Sequence, residues 1–268
     1  MAMPTTVSGG PSYAPASTPG PVPGQTDEPG TPAPRRLRRG FGLIGPRRQG
    51  HELPPEQFDA LALPIGDDGV VIGVGARDQP AVLGLHRPTP FNVVLVGGLW
   101  TAQVIGLRAV ATGARVTVET GRQQMWASLA QAANGGYQSM TLHDVGRVPP
   151  QGPSIGSPVL VIRDAGMRPP RGRVSSAPWQ SVLTLLPYMS PVAPRLMENA
   201  DLVGVQRVSP EEAVQVGRIM GLPSMDVESL STLPDGVTLW CDRQTRLYVA
   251  THPTDVESGL LGGARRMD

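Results

Sequence analysis

The chain contains no lysine; all 23 of its basic residues are arginine. A phosphate-loop lysine, a Schiff-base lysine and a lysine general base are therefore all excluded. Cysteine is nearly absent too. Cys241 stands alone, which rules out an intrachain disulfide or a thiolate metal cluster and fits a reducing compartment. The four histidines (His51, His86, His143 and His252) lack H-x3-H or H-E-x-x-H spacing, so no metal site is expected. Aromatic residues make up 4% of a chain that is 40% hydrophobic, so the core is expected to be mostly Val, Leu, Ala and Ile. No apolar run approaches the roughly 18 residues a membrane helix needs, and no signal-peptide core is visible. The expectation is a cytoplasmic protein that reaches at most the inner face of a membrane. A net charge of +1 gives no global reason to expect nucleic acid.

What is present is organised around FNVVLVGGLWTAQVIGLRAVATGARVTVE, residues 91–119. Residues 93–96 are short, apolar and β-branched, a buried-strand pattern. Residues 101–112 have a helix's length, with Val104, Leu107 and Ala111 on one face, and Gly113 sits at a helix end. Residues 115–118 alternate like a second strand. Strand, glycine turn and helix form the unit that places phosphates on a helix N-terminus.

Two templates fit this turn. In the phosphate loop, G-x-x-x-x-G-K-[ST], backbone N–H groups cradle phosphates, Lys neutralises them and the hydroxyl holds Mg2+. Aligned without gaps, Gly97 takes the first glycine, Ala102 the second, Gln103 the lysine and Val104 the hydroxyl. Gly98, Trp100 and Thr101 fall between. The shape is expected to survive while the charge and the metal ligand are lost. Losing one charge-assisted bond of about 1.5–3 kcal/mol weakens phosphate affinity about 10- to 100-fold. The dinucleotide template, G-x-G-x-x-G, requires an acid about 20 residues on. Glu119 supplies the acid, but Leu99 replaces the glycine that lets the backbone approach the pyrophosphate. A third reading needs no ligand: the glycines close a strand-to-helix turn.

Residues 1–53 are expected to be a disordered tail, rich in Pro, Gly, Ser and Thr, that cannot bury enough surface to offset its ordering entropy. Arg35, Arg36, Arg38 and Arg39 lie in it, a cluster suited to anionic lipid, nucleic acid or an acidic partner, or simply to a solvated tail. The folded domain is expected over 54–256, followed by a frayed tail, 257–268. Strands are expected at 60–65 and 70–74, forming a hairpin across 66–69, and again at 81–85. A helix over 122–134 and a strand at 140–145 follow. PVLVIRD, 158–164, reads as a strand ending in Asp164, where a metal-holding carboxylate or a turn cap would sit, with Ala165 in place of a catalytic Glu. Arg168, Arg171 and Arg173 lie on a Pro/Gly loop that is expected either to grip an acidic partner or phosphates or to be a plain solvated loop. Short helices are expected at 179–186 and 192–199 and a strand at 201–206. Ser209-Pro210-Glu211-Glu212 is a capping box opening a helix to Met220, and 237–250 reads as a closing hairpin. The alternation argues for α/β: an open, mostly parallel sheet, helices on both faces and a hairpin-rich N-terminal edge.

This order of motifs resembles a family. Val71-Ile72-Gly73-Val74, then Gln79-Pro80-Ala81-Val82-Leu83, then residues 91–98 are similar to the entry into the ATPase module of FtsK/SpoIIIE-type translocases and of type VII secretion (EccC-type) ATPases. Leu107-Arg108 matches the Leu-Arg trailing their phosphate loop, PVLVIRD resembles their Walker B strand, and residues 199–213 with Gly221-Leu222-Pro223 resemble their late strand and helix. The likeness spans about 60–255. It implies a RecA-like, P-loop-like fold in which Gly97, Gly98, Trp100, Thr101, Ala102, Gln103, Val104 and Asp164 mark a degenerate nucleotide site. The departures fall on the groups that perform phosphoryl transfer. The expected function is therefore a non-catalytic interaction or regulatory component that binds no cofactor beyond a weakly held nucleotide. Its expected partner is an active FtsK/EccC-like ATPase or a secretion complex. The alternatives are a nucleotide-binding protein or enzyme, for ATP or NAD(P), using the Gly97-Gly98 turn and Glu119, and a DNA-handling accessory.

Overall fold

The computed structural model describes residues 69–135, 138–168, 170, 172 and 174–265. The chain divides into two units, Met1–Pro54 and Pro55–Asp268, and every described residue lies in the second. The tail 1–53 with its arginine cluster, the strand expected at 60–65, Arg171 and Arg173 lie outside the described residues.

Ten strands form one sheet among the described residues. In chain order they are β1 (Val70–Val74), β2 (Pro80–Leu83), β3 (Phe91–Val96), β4 (Arg115–Thr120), β5 (Met140–His143), β6 (Val159–Asp164), β7 (Gln180–Leu186), β8 (Leu202–Val205), β9 (Val237–Cys241) and β10 (Arg246–Ala250). The order across the sheet is β2-β1-β10-β9-β8-β3-β7-β6-β4-β5. From β8 to β5 all neighbours are parallel, and from β8 to β2 they are antiparallel. This is the open, mostly parallel sheet with a hairpin-rich edge that the alternation predicts. β1 pairs with β2 along its length and with β10 at Val74, while the hairpin expected across 66–69 rests on residues outside those described.

Helices cover both faces. On one lie α1 (Leu99–Ala111), α2 (Gln124–Ala133) and, late in the chain, α6 (Asp255–Leu261); on the other lie α3 (Ala193–Glu198), α4 (Pro210–Met220) and α5 (Ser224–Leu230). Val93, Leu95, Val116, Val118, Ile162 and Leu183 face α1 and α2, whereas Val94, Val96, Leu186, Val203 and Val205 face α3 to α5. Because strand side chains alternate, strands buried on both sides are apolar at nearly every position. None of the helices is long and apolar enough to cross a membrane, among the described residues.

Three elements depart from the sequence expectation, among them α5, a helix over Ser224–Leu230 where none was expected. Residues 180–186 form a strand, not a helix, and β7 lies between β3 and β6 in full register, Phe91 opposite Ser181 through Val96 opposite Leu186. A short, mostly apolar segment such as QSVLTLL does not by its periodicity distinguish a doubly buried strand from a buried helix. Residues 257–261, expected to fray, belong to α6. Thr254 and Glu257 make a capping box, and Arg108 grips Glu257 through Nε (2.7 Å) and Nη2 (2.8 Å).

That grip makes α6 sensitive to acid. Burial raises the Glu257 carboxyl, but the Arg108 hydrogen bonds, the Thr254 N–H and the Arg108 charge outweigh it, so it titrates below its ordinary range. A depressed folded value contributes stability that is present above the unfolded value and is lost as pH falls through the folded one. Glu257→Gln is expected to cost about 1–3 kcal/mol at pH 7 and to flatten the loss of stability below about pH 4.5, read by urea denaturation across pH.

Candidate functional site at the carboxyl edge of the sheet

The chain leaves β3 through α1 on one face, and leaves neighbouring β8 through α4 and α5 on the other. Adjacent strands with oppositely directed connections open a crevice at their carboxyl ends, where ligands bind in open α/β sheets. A cleft of about 540 Å3 lies there, lined by Gly97, Gly98 and Leu99 after β3, Arg122 after β4, Pro187 and Tyr188 after β7, and Arg207 to Pro210 after β8.

The turn in this cleft is not a phosphate loop. A phosphate loop keeps four residues of open backbone between its two glycine positions, here 98–101. Instead α1 begins at Leu99, with Gly98 as its N-cap, so three of those four positions are helical. Gln206, which is 3% exposed, packs against the turn. Its Oε1 accepts from Gly98 N–H at 2.7 Å, and its Nε2 donates to Thr101 Oγ1 at 2.6 Å and to Thr238 Oγ1 at 3.3 Å. Gly97 N–H is donated to Leu186 O at 2.9 Å. A Cβ on Gly97 would stand 2.5 Å from Gln206 Oε1, so the close approach of this amide is what requires glycine there.

The expectation that the turn keeps its cradle shape is thus corrected. Trp100, Thr101, Ala102, Gln103 and Val104 are helical and buried. Trp100 does not fill phosphate space; its Nε1 donates to Gly262 O at 3.1 Å beyond α6. Gln103 Nε2 donates to Met125 O at 2.7 Å, tying α1 to α2. Val104 has no exposed surface. The apolar spacing that makes α1 amphipathic sends these positions into the core.

Asp164 ends β6 with no solvent exposure and four kinds of donor around it. Trp126 Nε1 lies at 2.8 Å, Arg122 Nε at 3.0 and 3.1 Å from its two oxygens, Gly166 N–H at 3.1 Å and Thr120 Oγ1 at 3.3 Å. The Gly166 bond is the turn cap that an Asp at a strand end supplies. So complete a set leaves the carboxylate no direction for a metal. Across the described residues, no three metal-capable side chains gather anywhere.

Glu119 does not approach the cleft. Its strand, β4, is separated from β3 by β7 and β6, and Glu119 faces the opposite side of the sheet from Asp164. There it accepts from Arg163 Nε at 2.6 Å and from Gly146 N–H at 2.7 Å. A ribose-binding acid must stand beside the first strand of its unit, so the dinucleotide alternative loses its acid. Arg168 is exposed in the loop after β6. Cys241 is buried, and burial, followed by Asp242 and Asp226, pushes its thiol up to about 12, which excludes a reactive thiolate near neutral pH.

Sequence reasoning did not single out Gln206, Arg122, Tyr188 or Arg207. Their one available signal was position, since each follows the end of a strand.

No protein-family model and no curated protein matches the chain. Solved structures resemble it. The genome packaging NTPase B204 from Sulfolobus turreted icosahedral virus 2, in complex with ATP-gammaS, is 10% identical at a TM-score of 0.41, over 62% of this chain and 98% of that one. VirB4 of Thermoanaerobacter pseudethanolicus is 8% identical at 0.44, over 70% and 98%. The cytoplasmic domain of the Thermomonospora curvata type VII secretion ATPase EccC is 13% identical at 0.41, over 70% of this chain and 27% of that one. Likeness this distant leaves the function to be read from the chain's own residues.

Proposed function

We propose that this chain is a non-catalytic relative of the FtsK-like and type VII secretion ATPases, a module that docks on an active ATPase or secretion complex without using a nucleotide. One observation carries the first half of this reading: α1 starts directly after Gly97-Gly98, and the Gly98 N–H is already donated to the buried Gln206 amide. Phosphoryl transfer is catalysed by positioning and by electrostatic stabilisation. With the Gly97 and Gly98 amides bonded within the protein, Gln103 and Val104 buried and Asp164 fully bonded, the lysine, hydroxyl and acid positions of a phosphate loop present nothing to a triphosphate.

The docking half is supported by what remains after that loss, a complete α/β scaffold preceded by a tail bearing Arg35, Arg36, Arg38 and Arg39. In this proposal the protein works at the inner face of the membrane, with the arginine cluster making the peripheral contact and no nucleic acid involved. Calorimetry with ATP and Mg2+ is expected to show no magnesium-dependent binding and no turnover. Micromolar binding with hydrolysis overturns the reading. Light scattering of mixtures with an FtsK- or EccC-type ATPase tests docking, and the absence of a complex at about 10 μM of each protein counts against it.

A further inference from the structure

The carboxyl-edge cleft has the volume of a small-molecule site, and such sites are mostly apolar with a few placed polar groups. Leu99, Met167, Pro187, Val208 and Pro210 form its apolar walls, and Arg122 and Arg207 bring the positive charge. The carboxylate in its lining, Glu212, is occupied: Oε1 accepts from Met189 N–H at 2.9 Å and Oε2 from Ser209 N–H at 3.0 Å.

Arg122 is the informative residue. It is held from behind, its Nε bonded to the buried Asp164, while among the described residues Nη1 and Nη2 have no protein acceptor. A guanidinium fixed at Nε and open at its terminal nitrogens is an oriented fork for a carboxylate or a phosphate. Arg207, by contrast, shares its charge with Asp235 at 2.8 Å, and both partners are more than 40% exposed.

We propose that this cleft binds a small amphipathic anion, with one phosphate or carboxylate group on Arg122 and a flat apolar body against Leu99, Met167 and Pro187. One anionic group fits where three do not, because a single fork is open and the turn's Gly98 N–H is already donated to Gln206. The inference rests on the preceding reading only in that the turn holds no triphosphate.

Calorimetric titration of the full chain with phenyl phosphate tests it, with phenylacetate, inorganic phosphate and 2-phenylethanol in parallel. The two anions with an aromatic body are the probes of the site, and whichever of them binds more tightly identifies the headgroup. At least one is expected to bind about tenfold or more above both inorganic phosphate and 2-phenylethanol, without dependence on Mg2+. Arg122→Gln is expected to weaken that binding about 10- to 100-fold. Since Arg122→Gln also strips buried Asp164 of its partner, Met167→Glu provides a second variant. Met167 is 70% exposed, so the fold tolerates the change, and a carboxylate at the cleft mouth is expected to weaken the anion about fivefold. Binding of neither aromatic anion at about 10 mM, inorganic phosphate matching them, or a folded Met167→Glu protein binding as tightly as the parent overturns the proposal. Magnesium-dependent ATP turnover defeats the non-catalytic reading alone, while failure of both aromatic anions defeats this site alone.

Discussion

Gln103→Lys with Val104→Thr, which writes the lysine and hydroxyl of a phosphate loop back into the chain, is expected to yield no ATPase and a strongly destabilised domain. Both positions lie inside α1, with Gln103 at 6% and Val104 at 0% exposure. A lysine there meets no phosphate. It gives up the bond from Gln103 Nε2 to Met125 O and must either hold a buried charge or release its proton. A downward shift of about three units in a buried amine corresponds to about 4 kcal/mol. For a domain of this size that lowers Tm by about 10 °C or more. Thermal denaturation with a phosphate-release assay checks both halves. A double variant as stable as the parent that hydrolyses ATP would mean that the first turn of α1 unwinds into an open loop.

The second large effect is expected at Asp164, which ion-pairs with Arg122 and accepts from Trp126, Thr120 and Gly166. Asp164→Ala leaves the indole N–H without an acceptor in the core and Arg122 without its counter-charge. Removing one partner of a buried pair costs about 3–5 kcal/mol. An aspartate kept for Mg2+ behaves in the opposite way, since its removal abolishes turnover and relieves a strained carboxylate. Urea denaturation of Asp164→Ala, with Mg2+ titrated into the parent, separates the two roles. The expected result is a large loss of stability in the variant and no stabilisation of the parent by Mg2+. A variant as stable as the parent contradicts the account of Asp164 as a bonding hub.

Much of the architecture was legible before any coordinates. The β-branched run ahead of Gly97 reads as β3, and the Ser209–Glu212 capping box marks the start of α4, closed by Gly221 in a left-handed conformation. These are local features, each decided by residues within one or two turns of the chain. The strand β7 departs from the expected helix because a short segment with four apolar residues in seven, QSVLTLL, suits a helix as well as a strand. What places it in the sheet is the vacancy between β3 and β6, which no neighbouring residue reports. The same holds for α6, where Arg108, 149 residues away, secures the capping box on Thr254 and Glu257.

The site was half legible. Gln103 and Val104 at the lysine and hydroxyl positions, and Ala165 after Asp164, are legible in the sequence as departures from the phosphate-loop pattern. That the loop itself had closed could not be read, because the group that closes it, Gln206, lies 108 residues from the amide it binds.

Composition and local pattern alone determined that this is a lysine-free α/β chain with Gln103 and Val104 where a phosphate loop carries its lysine and hydroxyl, since residue identity limits chemistry wherever the residue is placed. Tertiary structure alone decided that α1 begins at Leu99, that Asp164 is spent on Arg122 and Trp126, and that Arg122 lines the cleft while its Nε is held by Asp164. The physical reason is that these outcomes depend on contacts between strand ends and helix termini far apart in the chain, which form only when the sheet brings its carboxyl ends to one edge.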